Sequence, residues 1–141
     1  MSSARRRAGG SSAGALVLVL GACGGGTPSP DLFVVHRDGT VPGAKLVLLV
    51  SDTSVRCNDG ATRPLPSAGT IDARVLADEL LELQEDGVAL PPPSAAQIFR
   101  FSVRTQKGTL RYPDTAQRPS VLPRLTRFVR RAAIDICGLR R

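Results

Sequence analysis

The residues of this 141-residue chain whose types could do chemistry are one histidine, three cysteines and a short run of carboxylates. His36 could act as a general base, but a base needs a nucleophile beside it. Ser51, Ser54 and Ser67 have no Gly-x-Ser-x-Gly setting that would raise a hydroxyl on a strand-to-helix turn. Asp78, Glu79, Glu82 and Glu85 fall at helical spacing, so neighbouring carboxylates lie within one turn of each other. A paired-acid or metal site would need a second acidic helix to face them, and the chain has none; the run reads as solvated surface. Cys57, Cys137 and His36 make at most three ligands, with no CxxC or HxxxH spacing, which argues against metal. The expectation is a protein without metal or cofactor, and not an enzyme.

The first 26 residues carry a different kind of information. Arg5-Arg6-Arg7 precedes the apolar run Ala15–Leu20, and small residues come next. A basic start, a short apolar stretch and small residues form a secretory signal, because the run falls well below the ~20 residues a spanning helix needs. Three arginines also permit twin-arginine export, although Ala8-Gly9-Gly10 stands where an apolar residue normally succeeds the pair, so the export route stays open. Leu20-Gly21-Ala22-Cys23 resembles the lipobox of bacterial lipoproteins. The resemblance implies that residues 1–22 are a signal peptide removed on processing. It also implies that Cys23 carries diacylglycerol as the new N-terminus and that the protein is lipid-anchored on the extracytoplasmic face of the cell membrane. With Cys23 acylated, Cys57 and Cys137 are left to pair as a disulfide in an oxidising compartment.

Removing 22 of the 141 residues leaves 119, enough for one domain. Residues 23–30, rich in glycine, serine and proline, have no apolar periodicity to bury and read as a flexible tether. A single domain is expected over 31–141. Its core must be mainly aliphatic, since the chain has no tryptophan, one tyrosine and four phenylalanines. The net charge of +7 falls to +4 once the three signal arginines leave. The remainder is uneven: eight arginines against two acids from Arg111 onward, and an acidic stretch from Asp72 to Asp86 broken by Arg74. No aromatic residues are interleaved with those arginines to stack on bases, and the exported location argues against nucleic acid, so the basic stretch reads as a solvated helix face.

Periodicity lays out the scaffold on which these residues sit. Leu32–His36 is a β-prone run, with a turn expected at Asp38-Gly39. Lys45–Val50 is apolar at both parities and reads as a strand covered on both faces, and Val55–Cys57 as a third strand. A polar, proline-containing connection leads to a helix from Thr70 or Ile71 to Asp86, with Ile71, Val75, Leu76, Leu80 and Leu83 inward, Thr70 as cap and Gly87 as stop. Leu90-Pro91-Pro92-Pro93 makes a stiff surface connection. Ile98–Arg104 alternates, with Phe99, Phe101 and Val103 inward and Arg100, Ser102 and Arg104 outward, and Lys107-Gly108 turns it into Thr109–Tyr112. A last helix spans Ser120–Cys137, with Leu122, Leu125, Val129, Ala132, Ala133 and Ile136 buried. The order βββ-α-ββ-α predicts an α+β domain: an antiparallel sheet of about five strands with two helices packed on one face.

The Arg37-Asp38-Gly39 turn, Pro42-Gly43, a central Leu-rich helix, the Phe-x-Phe hairpin ending in Tyr112-Pro113-Asp114 and the helix after Val121-Leu122-Pro123 together resemble small lipoproteins of high-GC bacteria. In layout the domain is more distantly similar to emfourin-type inhibitors of thermolysin-like metalloproteases, though Thr40 replaces the second glycine of their turn. The resulting expectation is a cell-envelope lipoprotein with a non-enzymatic binding domain that recognises an envelope or secreted protein. The turn at Arg37, Asp38 and Gly39 is the partner-binding candidate, and metalloprotease inhibition is the alternative.

Overall fold

A computed structural model describes residues 31–139. The expected signal peptide, the acylated Cys23 and the tether therefore lie outside the described residues. Six antiparallel strands form one sheet: β1 (Asp31–Gly39), β2 (Leu46–Ser51), β3 (Ser54–Cys57), β4 (Thr62–Pro64), β5 (Phe99–Thr105) and β6 (Gly108–Pro113). Their spatial order is β4-β3-β2-β1-β5-β6. Helix α1 (Ser67–Glu85) connects β4 to β5, and α2 (Val121–Arg131) comes after β6 and continues as a π-helical turn over Ala132–Ile136. The domain is thus α+β as its periodicity requires, with a sixth strand in the connection after Cys57. That three-residue edge strand pairs Arg63 with Val55 and is too short and polar to announce itself by pattern.

Strand alternation sorts the side chains. Phe33 and Val35 on β1, Leu46, Leu48 and Val50 on β2, Val55 on β3, Phe101 and Val103 on β5 and Tyr112 on β6 meet both helices in one core. Among the described residues no helix covers the other face of the sheet. On β2 this corrects the reading of a strand buried on both sides: Val47 is exposed and Leu49 only half-buried, while Leu46, Leu48 and Val50 are buried. The apolar residues at both parities thus reflect β-propensity rather than a second covering layer.

Helix α1 begins three residues earlier than expected. Pro66 precedes Ser67, and the Thr70 amide already donates to the Pro66 carbonyl (3.0 Å), so Thr70 lies inside the first turn and is not a cap. Its inward stripe is Ala73, Leu76, Ala77, Leu80 and Leu83, whereas Ile71 is 62% exposed and Val75 39%. The two alanines let the helix approach the sheet closely, and each fully buried leucine contributes about 1.5–3 kcal/mol. Gly87 (φ 60°) succeeds the helix in the left-handed conformation that favours glycine, as a stop requires. On α2 the buried side is Val121, Leu122, Leu125, Phe128 and Val129, continued by Ala132 and Ala133, while Ile136 is only partly buried. The Phe128 ring meets Phe33 edge-on, with centroids 6.2 Å apart.

Candidate functional site

Sheet register decides which residues the open face displays. His36 of β1 is opposite Ser102 of β5, and Ser102 is in turn opposite Arg111 of β6. Arg100 and Arg104 lie two residues to either side of Ser102, hence on the same face. Ser102 therefore sits at the centre of a cross whose arms are His36, Arg111, Arg100 and Arg104. The lateral neighbours stand about 5 Å away between Cβ atoms and those along the strand about 7 Å.

The segment between α1 and β5 converts part of this flat face into a groove. Pro91, Pro93 and Gln97 pass over it, and beneath them His36, Asp38, Arg100, Ser102 and Arg111 line a space of about 370 Å³. Prolines suit this strap because their fixed φ lowers the entropy of holding it in place. Local hydrogen bonds shape it further: the Gln97 amide donates to the Ser94 carbonyl (3.1 Å) and the Ala96 amide to Ser94 Oγ (3.2 Å). Its far end is held by Asp114, whose carboxylate accepts from the Ile98 amide (3.2 Å) and the Phe99 amide (3.0 Å).

Charge pairing separates these arginines from those that brace the helices. Arg74 pairs with Asp52, Lys107 with Glu85, Arg124 with Glu79 and Arg131 with Asp72. Among the described residues Arg100, Arg104 and Arg111 form no salt bridge, and Asp38 is the one carboxylate among the groove's described lining residues. A second, larger groove of about 590 Å³ runs between α1 and α2, but its Arg124 and Arg131 are already neutralised, and Asp72 and Asp135 line it too. Arg127 and Arg130 of that groove form no salt bridge among the described residues, but two carboxylates stand among them; the sheet-face groove sets two unpaired arginines, a serine and the histidine beside a single carboxylate.

The residues singled out from the sequence fall in three places. Arg37, Asp38 and Gly39 are not a turn but the last residues of β1, paired with Phe101, Arg100 and Phe99 of β5. The turn begins one residue later, at Thr40. Arg37 folds inward: Nε donates to the Ala44 carbonyl (2.8 Å), the guanidinium lies 4.9 Å over the Phe99 ring, and burial lowers its pKa from the ordinary value. It braces the turn from beneath. Asp38, on the opposite parity, lines the sheet-face groove.

Cys57 and Cys137 are joined in a disulfide with Cα atoms 5.8 Å apart. The π-helical turn matters here, because one extra residue in a helix rotates the positions beyond it by roughly 100° around the axis. It turns Cys137 toward β3, and Arg63 of β4 donates to the Ile136 carbonyl beside it (2.7 Å). Of the acidic run, Glu79 and Glu85 serve as ion-pair partners, and Asp78 and Glu82 are exposed on α1.

His36, Ser102 and Asp38 share one groove, a neighbourhood that sequence separation hides. Among the described residues no hydrogen bond links their side chains. No group of three or more His, Cys, Asp or Glu that could hold a metal occurs among the described residues. Alternation had marked Arg100, Ser102 and Arg104 as outward, but the strap and the cross-strand meeting with His36 and Arg111 needed the register. Compared with protein-family models, curated proteins and solved structures, the chain matches none.

Proposed function

We propose that this protein is a lipid-anchored cell-envelope lipoprotein whose single domain binds, without catalysis, an envelope or secreted component across the open face of its sheet. The observation that carries the binding half is the set of unneutralised arginines beneath the proline strap. Like charges set side by side cost free energy in the empty protein, and a ligand of opposite charge recovers it. The anchor rests on Leu20-Gly21-Ala22-Cys23 and the segment before it. Acyl chains would hold the domain at the membrane, with residues 23–30 giving it a reach of about 15 Å root-mean-square as a flexible chain. Expression of the full chain in a bacterium, with an alkyne-labelled fatty acid, tests the anchor: label and membrane fractionation are expected for the wild type and lost in Cys23→Ser. In-cell photo-crosslinking from position 104 on the open face, set against position 78 on α1, tests the binding face. Equal adducts from both positions would overturn it.

A second reading is favoured by the turn after β1. Val41 stands 42% exposed at its tip, the Ala44 amide donates to the Val41 carbonyl (3.1 Å), and Arg37 ties the Gly43 and Ala44 carbonyls from below. A rigid, protruding loop with an apolar tip is the element a protease inhibitor would present. Inhibition of a secreted thermolysin-like protease, abolished by Val41→Asp, would establish that role; undiminished hydrolysis at stoichiometric excess would eliminate it.

A further inference from the structure

We infer that the strapped groove is an oxyanion site for a phosphate group, with the Ser102 hydroxyl at its centre and Arg100, Arg111 and His36 as its walls. The inference rests on the reading of the open sheet face as a binding face and names the chemistry of its ligand. A phosphate group presents several oxygens as acceptors in a compact tetrahedral array, and the groove opposes them with donors from three adjacent strands: His36 on β1, Ser102 and Arg100 on β5, Arg111 on β6. Arginine provides planar, forked donors suited to phosphate, and charge-assisted hydrogen bonds are roughly twice as strong as neutral ones.

Three features favour a phosphate over an acidic side chain reached in passing. Arg100 and Arg111 stand at diagonal positions on neighbouring strands and line the same groove, a spacing that one small anion can bridge between two long side chains. Ser102 adds a neutral donor at the centre, where a third cation would repel the first two. The strap of Pro91 and Pro93 borders one side with apolar surface, so the space beside the exposed arginines suits a compact anion. Asp38 is Cα partner to Arg100 and marks one end of the site, since its carboxylate would repel an anion placed there. The ligand is therefore expected toward Ser102 and Arg111. The phosphate could belong to a lipid headgroup of the anchoring membrane or to a free phosphate compound; the chemistry is shared.

His36 is the chain's only histidine, so its imidazole signals report this groove without ambiguity. The test tracks them by NMR in the full chain, held in neutral detergent during titration with inorganic phosphate, and separately in nanodiscs of phosphatidylcholine or phosphatidylglycerol. A saturable shift with inorganic phosphate supports the site and assigns a free-anion source. A shift confined to phosphatidylglycerol supports the site and assigns a lipid headgroup. In either case Arg111→Gln should weaken binding about tenfold, as loss of one charged hydrogen bond implies, and Ser102→Ala several-fold. Arg127→Gln on α2 should leave it unchanged. No saturable shift in any arm, or one that Arg111→Gln and Arg127→Gln weaken equally, would overturn the inference. That result would leave the anchor and the sheet-face reading intact, because acyl labelling and crosslinking test those separately.

Discussion

The backbone of Gly39 runs directly against the Ile98 carbonyl: a Cβ built on Gly39 would stand 2.5 Å from that oxygen and 2.9 Å from both Ala44 Cβ and Phe99 Cδ1. The Thr40 amide donates to the same carbonyl at 3.2 Å. Glycine is required here for close approach, since Gly39 is not among the glycines with positive φ. This contact sets where β5 begins beside β1, and with it the pairing of Asp38 with Arg100 at the mouth of the groove.

Gly39→Ala should therefore destabilise the domain by about 1–3 kcal/mol, the usual cost of overpacking a closed site. The comparison is Gly43→Ala, where a Cβ meets nothing within 4 Å and the strain comes from φ 75° alone. Urea unfolding would measure both. A Gly39→Ala midpoint equal to wild type would show that β1 and β5 can part at this point without loss.

The Cys57–Cys137 bond closes 80 positions of sequence. In the chain-entropy account a loop of this length removes about 4.5 kcal/mol of freedom from the unfolded chain. Replacing both residues by serine should lower unfolding stability by about 2–5 kcal/mol, with the same loss on adding reductant to the wild type. A double variant as stable as the oxidised protein would show that helix packing alone holds the C-terminal turn against β3.

The share of this fold that the sequence discloses is set by the range over which each signal acts. Ile98–Arg104 discloses its two faces because period-two alternation is local, and Gly87 discloses a helix end because its conformation is local too. Ile71 and Val75 mislead for the same reason: they share helical spacing with Leu76 and Leu80, and only the position of the sheet decides that Ala73 and Ala77 are turned inward instead. The groove lies at the far limit of this range. His36, Ser102 and Arg111 come from three segments, and no local pattern states that β1 pairs with β5 as well as with β2. The strap shows as three prolines, a marker of stiffness without direction.

Tyr112 makes alkaline stability testable. It is 3% exposed and stacks on Phe101 (centroids 5.1 Å), with Thr126 Oγ1 3.4 Å from its hydroxyl; burial raises its pKa well above the ordinary value. With the folded value raised, the phenol keeps its proton in the native state while the unfolded chain loses it near pH ~10, so stability is complete below about pH 10 and falls above it. The slope from this group is about 1.4 kcal/mol per pH unit until the folded phenol ionises. Tyr112→Phe should flatten the decline between about pH 10 and 11 by about 1 kcal/mol, since the unfolded phenol is only part-ionised at the start of that interval. Parallel curves for the two proteins would show that the ring is reached by solvent before unfolding.

Asp52 behaves in the opposite sense at acid pH. Its hydrogen bonds with Arg74 (2.5 and 2.7 Å) hold the carboxyl below its usual range, so whatever this pair contributes is present above the unfolded pKa and disappears as pH falls through the folded one. Both partners are solvent-exposed, and such pairs contribute little. Asp52→Asn should leave the urea midpoint at neutral pH nearly unchanged; a large loss would mean that the β2–β3 turn depends on this contact to seat α1.

Asp114 should matter more, although it too is a surface carboxylate. Its side chain accepts from two consecutive amides, Ile98 and Phe99, and its own amide donates to the Phe99 carbonyl (3.0 Å). These bonds end the strap and start β5 in one place. Asp114→Ala strands both donors and should cost about 1–3 kcal/mol, while Asp114→Asn keeps one acceptor oxygen and should lose less. The local consequence separates this from a general weakening. Hydrogen exchange at Ile98 and Phe99 should accelerate in Asp114→Ala while Val35 and Val103, in the sheet centre, remain protected to the level of global unfolding. If all four amides accelerate together, the strap and the sheet open as one unit, and the groove owes its shape to the whole fold instead of to this clasp.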